Sequence, residues 1–241
     1  MATLPSTKRR TQEEPKRRVM WIYGAPFSGK TTFADKAPDP LMLNTDGNAV
    51  YVTAPFVSIQ DEVKVTGRIT QRKFAWEVFK EYIDELEKGQ NEFKTIVIDL
   101  VNDVYEMCRL YMYNKLGITH ESDDTFRAWD KVRTEFLSTM RRVTHLPYDN
   151  IILISHEDAT KDLTKKSGEK ISSVRPKMQD KVADSLAGMV GFVGRAYVDD
   201  GEHKLSIKTD EVTYGGGRLG VSDVEIPLEW DEVTKLFIKK G

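Results

Sequence analysis

Short apolar runs alternate with longer amphipathic segments along this chain. Four runs have the length of strands buried on both faces, and they cover residues 19–23, 41–46, 93–99 and 150–154. Helices are predicted over residues 73–88, after Asp99 through Val104 to about residue 117, and from 122 to 143. This alternation predicts an α/β fold with a mostly parallel twisted sheet flanked by helices.

Towards the C-terminus the pattern changes to that of a hairpin. Apolar runs over residues 192–198 and 204–208 flank the turn-forming residues Asp199, Asp200 and Gly201. Residues 50–72 show no assignable pattern, and no internal repeat or linker divides the chain. We therefore expect one domain over residues 18–241, with a C-terminal β-hairpin extension.

Composition and charge add a basic N-terminal arm to this picture. The chain has 241 residues, 39% of them hydrophobic, which suffices for one sizeable core. Residues 1–17 lack apolar periodicity and hold two clusters of lysine and arginine, so they are expected to be flexible, either a solubilising tail or a nucleic-acid contact. The sole cysteine, Cys108, excludes a disulfide framework, and no apolar stretch is long enough to span a bilayer. We expect a cytoplasmic protein without a membrane segment.

Residues 24–31 match a phosphate-binding loop, Gly-x4-Gly-Lys-Thr, between an apolar run and a helix-compatible segment. The backbone N–H groups of such a loop and the positive end of the following helix bind polyphosphate. Lys30 is expected to reach the β- and γ-phosphates, and the Thr31 hydroxyl to bind Mg2+. The predicted nucleotide-binding residues are Gly24, Ala25, Pro26, Phe27, Ser28, Gly29, Lys30, Thr31 and Thr32. An accidental match is expected in roughly one chain of this length per hundred.

Three polar residues at strand ends are candidates for catalysis, because ligands of such sheets bind at the carboxyl ends of the strands. Asp99 fits a Walker B acid that holds Mg2+, and its alternative role is to cap the next helix. Asp46 can orient and deprotonate the attacking water, or simply form an Asp-Gly turn. His156 can sense the γ-phosphate, or be an ordinary hydrogen-bonded polar residue.

The order of these motifs resembles the RecA-type ATPase core. More narrowly, it is similar to the phage-encoded P-loop proteins with a minimal RecA core that act in single-strand annealing and recombination. The resemblance covers about residues 18–230 and rests on the loop and on the strand ends at 43–47, 96–99 and 152–156. It implies a RecA-like P-loop NTPase that uses ATP and Mg2+. It also implies that Asp46 replaces the family's catalytic glutamate, so that hydrolysis is slow, and that His156 replaces a sensor that is often glutamine.

The RecA-like group follows the sensor strand with a mobile DNA-binding loop, which would correspond here to residues 157–184. This segment is rich in lysine and lacks aromatic residues, so its grip on single-stranded DNA would depend mainly on charge. The predicted DNA-binding residues are Lys161, Lys165, Lys166, Lys170, Arg175 and Lys177. A plain solvated loop is the alternative, because acidic residues, among them Asp158, Asp162, Glu169 and Asp180, dilute the positive charge.

A glycine-rich segment near the end of the chain contains Arg218, which is a candidate arginine finger. Arg195 is the rival candidate, and an exposed arginine without this role is the alternative for both. A finger supplied from a neighbouring subunit would require a ring or filament of identical chains.

These observations together predict an ATP-binding, Mg2+-dependent RecA-like NTPase that binds single-stranded DNA and assists phage recombination, annealing or strand exchange. One alternative is a P-loop kinase acting on a small molecule, with residues 157–184 as its lid, although arginines suited to closing such a lid are scarce there. Another is a nucleotide-gated adaptor with negligible turnover.

Overall fold

A computed structural model describes residues 15–119, 126–164, 170–208, 210, 212–218 and 224–237. Their strands are β1 (Arg18–Gly24), β2 (Pro40–Asn44), β3 (Phe56–Ser58), β4 (Glu62–Thr66), β5 (Ile69–Lys73), β6 (Thr95–Asp99), β7 (Asn150–Thr164), β8 (Lys170–Pro176), β9 (Phe192–Asp199), β10 (Glu202–Ser206), β11 (Gly216–Gly217) and β12 (Glu225–Pro227). Their helices are α1 (Lys30–Asp35), α2 (Ala75–Glu87), α3 (Val101–Leu116), α4 (Phe126–Thr144), α5 (Asp180–Ala187) and α6 (Trp230–Lys235), with a short 3₁₀ helix at Asn48–Tyr51.

The central sheet is mostly parallel. Its strands lie in the order β12-β10-β9-β1-β7-β6-β2-β3, and all neighbours from β9 to β3 are parallel. The predicted C-terminal hairpin forms as β9 and β10, which pair antiparallel with Val198 opposite His203. The predicted α/β class, with a mostly parallel sheet and a hairpin extension, is confirmed.

The strand order brings the candidate residues to one edge of the sheet. β7 lies between β1 and β6, so that Gly24 pairs in register with His156, while Asp99 pairs with Ile154. On its other side Asp99 pairs with Asn44, at the end of β2. Because the carboxyl ends of parallel strands meet at one edge, residues far apart in sequence become neighbours there.

Each face of the sheet carries its own hydrophobic core, because alternate residues of a strand point to opposite faces. Trp21 and Tyr23 of β1 pack into the larger core with the buried sides of α2, α3 and α4. Met20 and Ile22 pack into the smaller core, which includes Phe33 of α1 and side chains of α6. The alternation therefore fixes β1, and the loop that follows it, between two packed layers.

Most of the described residues between 157 and 184 lie in strands and a helix, whereas the sequence predicts a mobile loop. β7 continues beyond the sheet and pairs antiparallel with β8, with a bulge between Asp158 and Lys161, and α5 follows. The segment forms a ribbon because two extended strands satisfy each other's backbone groups, as at Leu163 opposite Ile171. β8 is also paired on its other side, where the Val174 N–H donates to the Val212 carbonyl over 2.7 Å.

The unassigned region at residues 50–72 contains β3 and a second hairpin, formed by β4 and β5. The β4 residues are all exposed, which explains why no burial pattern marks them in the sequence. α3 begins at Val101, directly after the strand that ends with Asp99, where the sequence predicts a helix to follow. Among the helices of the described residues, none combines the length and apolarity needed to cross a membrane.

Candidate nucleotide-binding site

The glycines of the phosphate loop are required by the backbone around them. A Cβ at Gly24 would lie 2.1 Å from the carbonyl oxygen of Ala196 on β9, far inside contact distance. Gly29 has a φ of +86°, and a Cβ there would lie 2.8 Å from the Nδ1 atom of His203 on β10. The loop is therefore pressed against the C-terminal hairpin, and both positions accept only glycine without strain.

Lys30 is held at the centre of the loop. Its side chain is buried, and its Nζ donates to the carbonyl oxygens of Gly24 (2.9 Å) and Ala25 (2.7 Å) and to the hydroxyl of Ser28 (3.1 Å). Burial lowers the pKa of Lys30 to about 8, although carboxylates led by Asp99 act in the opposite direction. A partly desolvated ammonium group at this place is suited to bind an anion.

Thr31 and Asp99 form the candidate magnesium site. The Thr31 hydroxyl donates to Asp99 Oδ2 over 2.8 Å, and Asp99 Oδ1 is buried without a hydrogen-bond partner. Burial raises the pKa of Asp99 to about 6, with the hydrogen bond from Thr31 acting against this rise. Asp99 does not cap α3, because the N-cap residue is Leu100 and no side chain caps the helix. A hydroxyl and an unsatisfied carboxylate oxygen side by side fit Mg2+, which prefers oxygen ligands.

Asp46 lies just after the end of β2, at the same edge of the sheet, and hydrogen bonds hold its carboxylate in place. Its carboxylate accepts from the Asn44 amide (2.9 Å), the Asn48 backbone N–H (3.0 Å) and the Asn48 amide (2.7 Å). Partial burial acts to raise the pKa of Asp46, but the bonds from Asn48 and Asn44 outweigh it and hold the pKa below its usual value. Asp46 thus forms the expected turn and also faces the nucleotide cleft.

His156 lies in β7 beside the phosphate loop. Its backbone N–H donates to Asn102 Oδ1 over 3.0 Å, and this bond connects β7 to the start of α3. Burial lowers the pKa of His156, and the nearby Lys30 ammonium lowers it further, so the imidazole is neutral at pH 7. A neutral imidazole can donate one hydrogen bond to a phosphate oxygen.

A cleft of about 680 Å3 joins these residues. Its wall includes the loop residues from Pro26 to Thr32 together with Asp46, Asp99 and His156. Among the predicted nucleotide, metal and catalytic positions, Gly24, Ala25 and Arg218 do not line it. Two large exposed aromatic side chains, Phe27 (96% exposed) and Tyr51 (86% exposed), also line it. Tyr51 was not predicted, because a single tyrosine in an unpatterned segment gives no signal.

A family model described as an AAA domain matches residues 16–219, which is most of the chain and includes the whole cleft. The chain belongs to the AAA domain family. Among 65 matching chains of solved structures is a prototypical ATPase from the type III secretion system of pathogenic bacteria, with 9% identity and a TM-score of 0.45 over 75% of this chain. This chain covers 51% of that ATPase, about half of its length. No curated protein sequence matches.

This AAA domain is a nucleotide-binding P-loop NTPase.

The two candidate arginine fingers, Arg195 and Arg218, lie at different places in the sheet. Arg195 is in register with Tyr23, next to the loop, and its guanidinium pairs with Glu157 over 2.9 Å. Glu157, which directly follows His156, is a further acidic residue near Lys30 and was not predicted from the sequence. Arg218 lies at the amino end of β9, where its N–H donates to the Gly191 carbonyl over 2.8 Å. That is the sheet edge opposite Gly24, so Arg218 does not contribute to the loop of its own chain.

The predicted DNA-binding residues divide into four groups in the AAA domain. Lys165 and Lys166 lie outside the described residues, whereas Lys161 and Lys170 are at register positions on the ribbon. Arg175 is engaged within the fold, because it pairs with Asp180 (3.3 Å) and lies over the Tyr214 ring (5.1 Å). Lys177 is exposed next to His156, whose carbonyl accepts its backbone N–H over 2.8 Å. Residues 1–14 of the basic arm, which was predicted over residues 1–17, also lie outside the described part.

Proposed function

We propose that this AAA domain protein is an ATP-hydrolysing, Mg2+-dependent RecA-like P-loop NTPase of phage type that binds single-stranded DNA and assists recombination, annealing or strand exchange. The observation that carries the hydrolytic half is the hydrogen bond from Thr31 to Asp99, with the second oxygen of Asp99 buried and unpaired. The DNA half is supported by the basic ribbon next to the nucleotide cleft and by the order of the sequence motifs.

Each residue of the cleft has its own role in the proposed phosphoryl transfer. Lys30 exchanges its carbonyl partners for the β- and γ-phosphate oxygens, and the loop N–H groups bind the same phosphates. Thr31 and Asp99 hold Mg2+, which when bound neutralises charge on the phosphate oxygens. Asp46 orients the attacking water and accepts its proton, and His156 donates a hydrogen bond to the γ-phosphate.

Slow turnover is the second candidate property, and one observation favours it. The hydrogen bonds from Asn44 and Asn48 hold the pKa of Asp46 below its usual value and fix the position of its carboxylate. A carboxylate with a lowered pKa is a weaker base, so the proton transfer from water is less favourable. A nucleotide-gated adaptor with little hydrolysis is therefore the alternative that this structure supports.

Phosphate release measured with and without single-stranded DNA tests the proposal. We expect Mg2+-dependent release from ATP that single-stranded DNA increases, and we expect Lys30→Ala to abolish it. Insensitivity to DNA would contradict the recombination half, and ATP binding without release would favour the adaptor. A glycerol- or nucleoside-dependent loss of ATP would instead point to a kinase.

Binding of single-stranded DNA can be tested by changing residues between β7 and β8 in the sequence. Replacing both Lys165 and Lys166 by alanine should weaken binding and flatten its dependence on salt, because each lost phosphate contact reduces counterion release. The matched control replaces Lys235 and Lys208, two exposed or half-exposed lysines that pair with Glu232 and Glu225 away from the ribbon. Equal salt slopes for the two double variants would reject the ribbon as the binding element.

A further inference from the structure

A second cleft, of about 670 Å3, lies between α3, α4 and the start of α5. It shares no lining residue with the nucleotide cleft, but the two are adjacent, because Asn102 in its wall accepts the N–H of His156. We name it the α3–α4 cleft. Its size is similar to that of the nucleotide cleft, so it has room for a ligand of comparable dimensions.

One wall of the α3–α4 cleft is a rigid aromatic surface. Trp129 of α4 meets Tyr113 of α3 edge to face, with 6.4 Å between ring centroids, and the Arg109 guanidinium lies 5.3 Å from the Tyr113 ring. Trp129 is only partly buried and forms no hydrogen bond through its indole N–H within the described part of the chain. The cleft therefore presents an aromatic ring and an available donor to a ligand.

The charges of the cleft favour a ligand that brings acceptors. Its three carboxylates already have donors. Asp103 accepts from Thr45 and Asn102, each over 2.8 Å, and Glu106 accepts from Arg109 over 2.8 Å. Asp158 accepts from the backbone N–H (2.9 Å) and the hydroxyl (2.7 Å) of Thr160. The ammonium of Lys177 is exposed and has no ion-pair partner among the residues described. An aromatic surface together with an uncommitted cation is the combination that binds single-stranded nucleic acid, by base stacking and phosphate contact.

We propose that the α3–α4 cleft binds one nucleotide unit of single-stranded DNA, with its base packed on Trp129 and its phosphate at Lys177. This inference rests on the proposed DNA-binding function and supplies the stacking platform that the ribbon's sequence lacks. The backbone N–H of Lys177 donates to the carbonyl of His156, and His156 lines the nucleotide cleft. The DNA strand bound at Lys177 would therefore lie next to the nucleotide site.

Tryptophan fluorescence gives a direct test. Trp21 and Trp76 are fully buried, so a stacked base can quench only Trp129 and Trp230. We expect a dT oligomer of about 16 nucleotides to quench the wild type and the Trp230→Phe control, but not Trp129→Phe. Quenching that persists in Trp129→Phe would overturn the proposal.

Affinity measured by anisotropy of a labelled dT oligomer provides the second readout. Trp129→Leu, which keeps apolar volume but cannot stack, should weaken binding about tenfold or more, whereas Trp230→Leu should not. Lys177→Gln should reduce the slope of log affinity against log salt concentration by the amount expected for about one phosphate contact. Unchanged affinity in Trp129→Leu would overturn this site and leave the proposed function intact, whereas no binding by the wild type would overturn both. Quenching by free dTMP without binding of the oligomer would show that the cleft binds a free nucleotide, and it would overturn the proposal that the cleft binds a DNA strand.

Discussion

The carboxylate of Asp99 is buried next to two further acids, Asp46 and Asp103, and within the described chain only the Thr31 hydroxyl donates to it. Burial raises its pKa to about 6 from an ordinary value of 3.8, so the folded protein binds this proton more tightly than the unfolded chain does. Stability from this group is thus highest at low pH and falls as the pH rises from about 4 to 6. The same unsatisfied oxygen that reduces stability is the one available to the metal.

Asp99→Asn should therefore separate stability from activity. In the nucleotide-free, metal-free protein at pH 8 we expect the free energy of unfolding to rise by about 1 to 3 kcal/mol, and the gain to disappear near pH 4. Magnesium-dependent phosphate release should be lost. Urea melts at both pH values provide the measurement, with Asp200→Asn on the exposed hairpin turn as control. A stability change that is independent of pH would contradict the buried charge.

A second change at the residue scale concerns the partner of Asp46. Asn48→Ala removes the amide that donates to Asp46 over 2.7 Å, so the pKa of Asp46 should rise towards its usual value. If Asp46 is the general base, the acid limb of kcat/KM should move to higher pH, and hydrolysis above it should become faster. Asn114→Ala, at an exposed position of α3, is the control. An acid limb that stays in place would leave Asp46 with its turn role alone.

Among the elements, the β9–β10 hairpin has the most direct effect on the phosphate loop. The carbonyl of Ala196 closes the space beside Gly24, and the His203 imidazole closes the space beside Gly29. The hairpin was predictable because alternation and an Asp-Asp-Gly turn are local signals. Its contact with the loop was not, because it depends on strand order, which no single segment encodes.

Double substitution tests this contact. Gly29→Ala should impair ATP binding for two reasons, the φ of +86° and the 2.8 Å approach to His203. Adding His203→Ala removes the second reason and should restore part of the binding, while a backbone cost of about 1 kcal/mol remains. Isothermal titration with ATP and Mg2+ measures both steps. If the double variant bound ATP no better than Gly29→Ala, the imidazole would not limit the loop.

The sequence was informative where function and structure depend on neighbouring residues. The phosphate loop, the strand that ends at Asp99 and the strand before His156 all follow from short motifs. The ribbon of β7 and β8 was mistaken for a loop, because its stability comes from pairing between strands and with residues near Val212. Glu157 was missed for a similar reason, since its partner Arg195 lies on a strand distant in sequence.

For the whole molecule, the sheet separates two functional edges. The carboxyl edge carries the nucleotide cleft, whereas Arg218 lies at the amino end of β9. A finger at Arg218 can therefore serve only the site of another copy, which a head-to-tail ring or filament provides.

Mixing two inactive variants tests an arginine finger supplied between copies. Lys30→Ala lacks the nucleotide site but keeps Arg218, and Arg218→Ala lacks the finger but keeps the site. An equal mixture should regain phosphate release at about a quarter of the wild-type rate, because random neighbours form one complete interface in four. Full activity of Arg218→Ala alone, or no gain on mixing, would contradict the finger.

The length of β7 has a mechanical consequence. From His156 the same strand continues through residues 157–164, about 26 Å of extended chain, while its base is clamped between β1 and β6. A tilt of about 5° at that base would displace the far end by about 2 Å. The base of the ribbon lies beside the phosphate loop. A small rotation of that base on binding of a γ-phosphate would therefore produce a larger displacement at the far end of the ribbon.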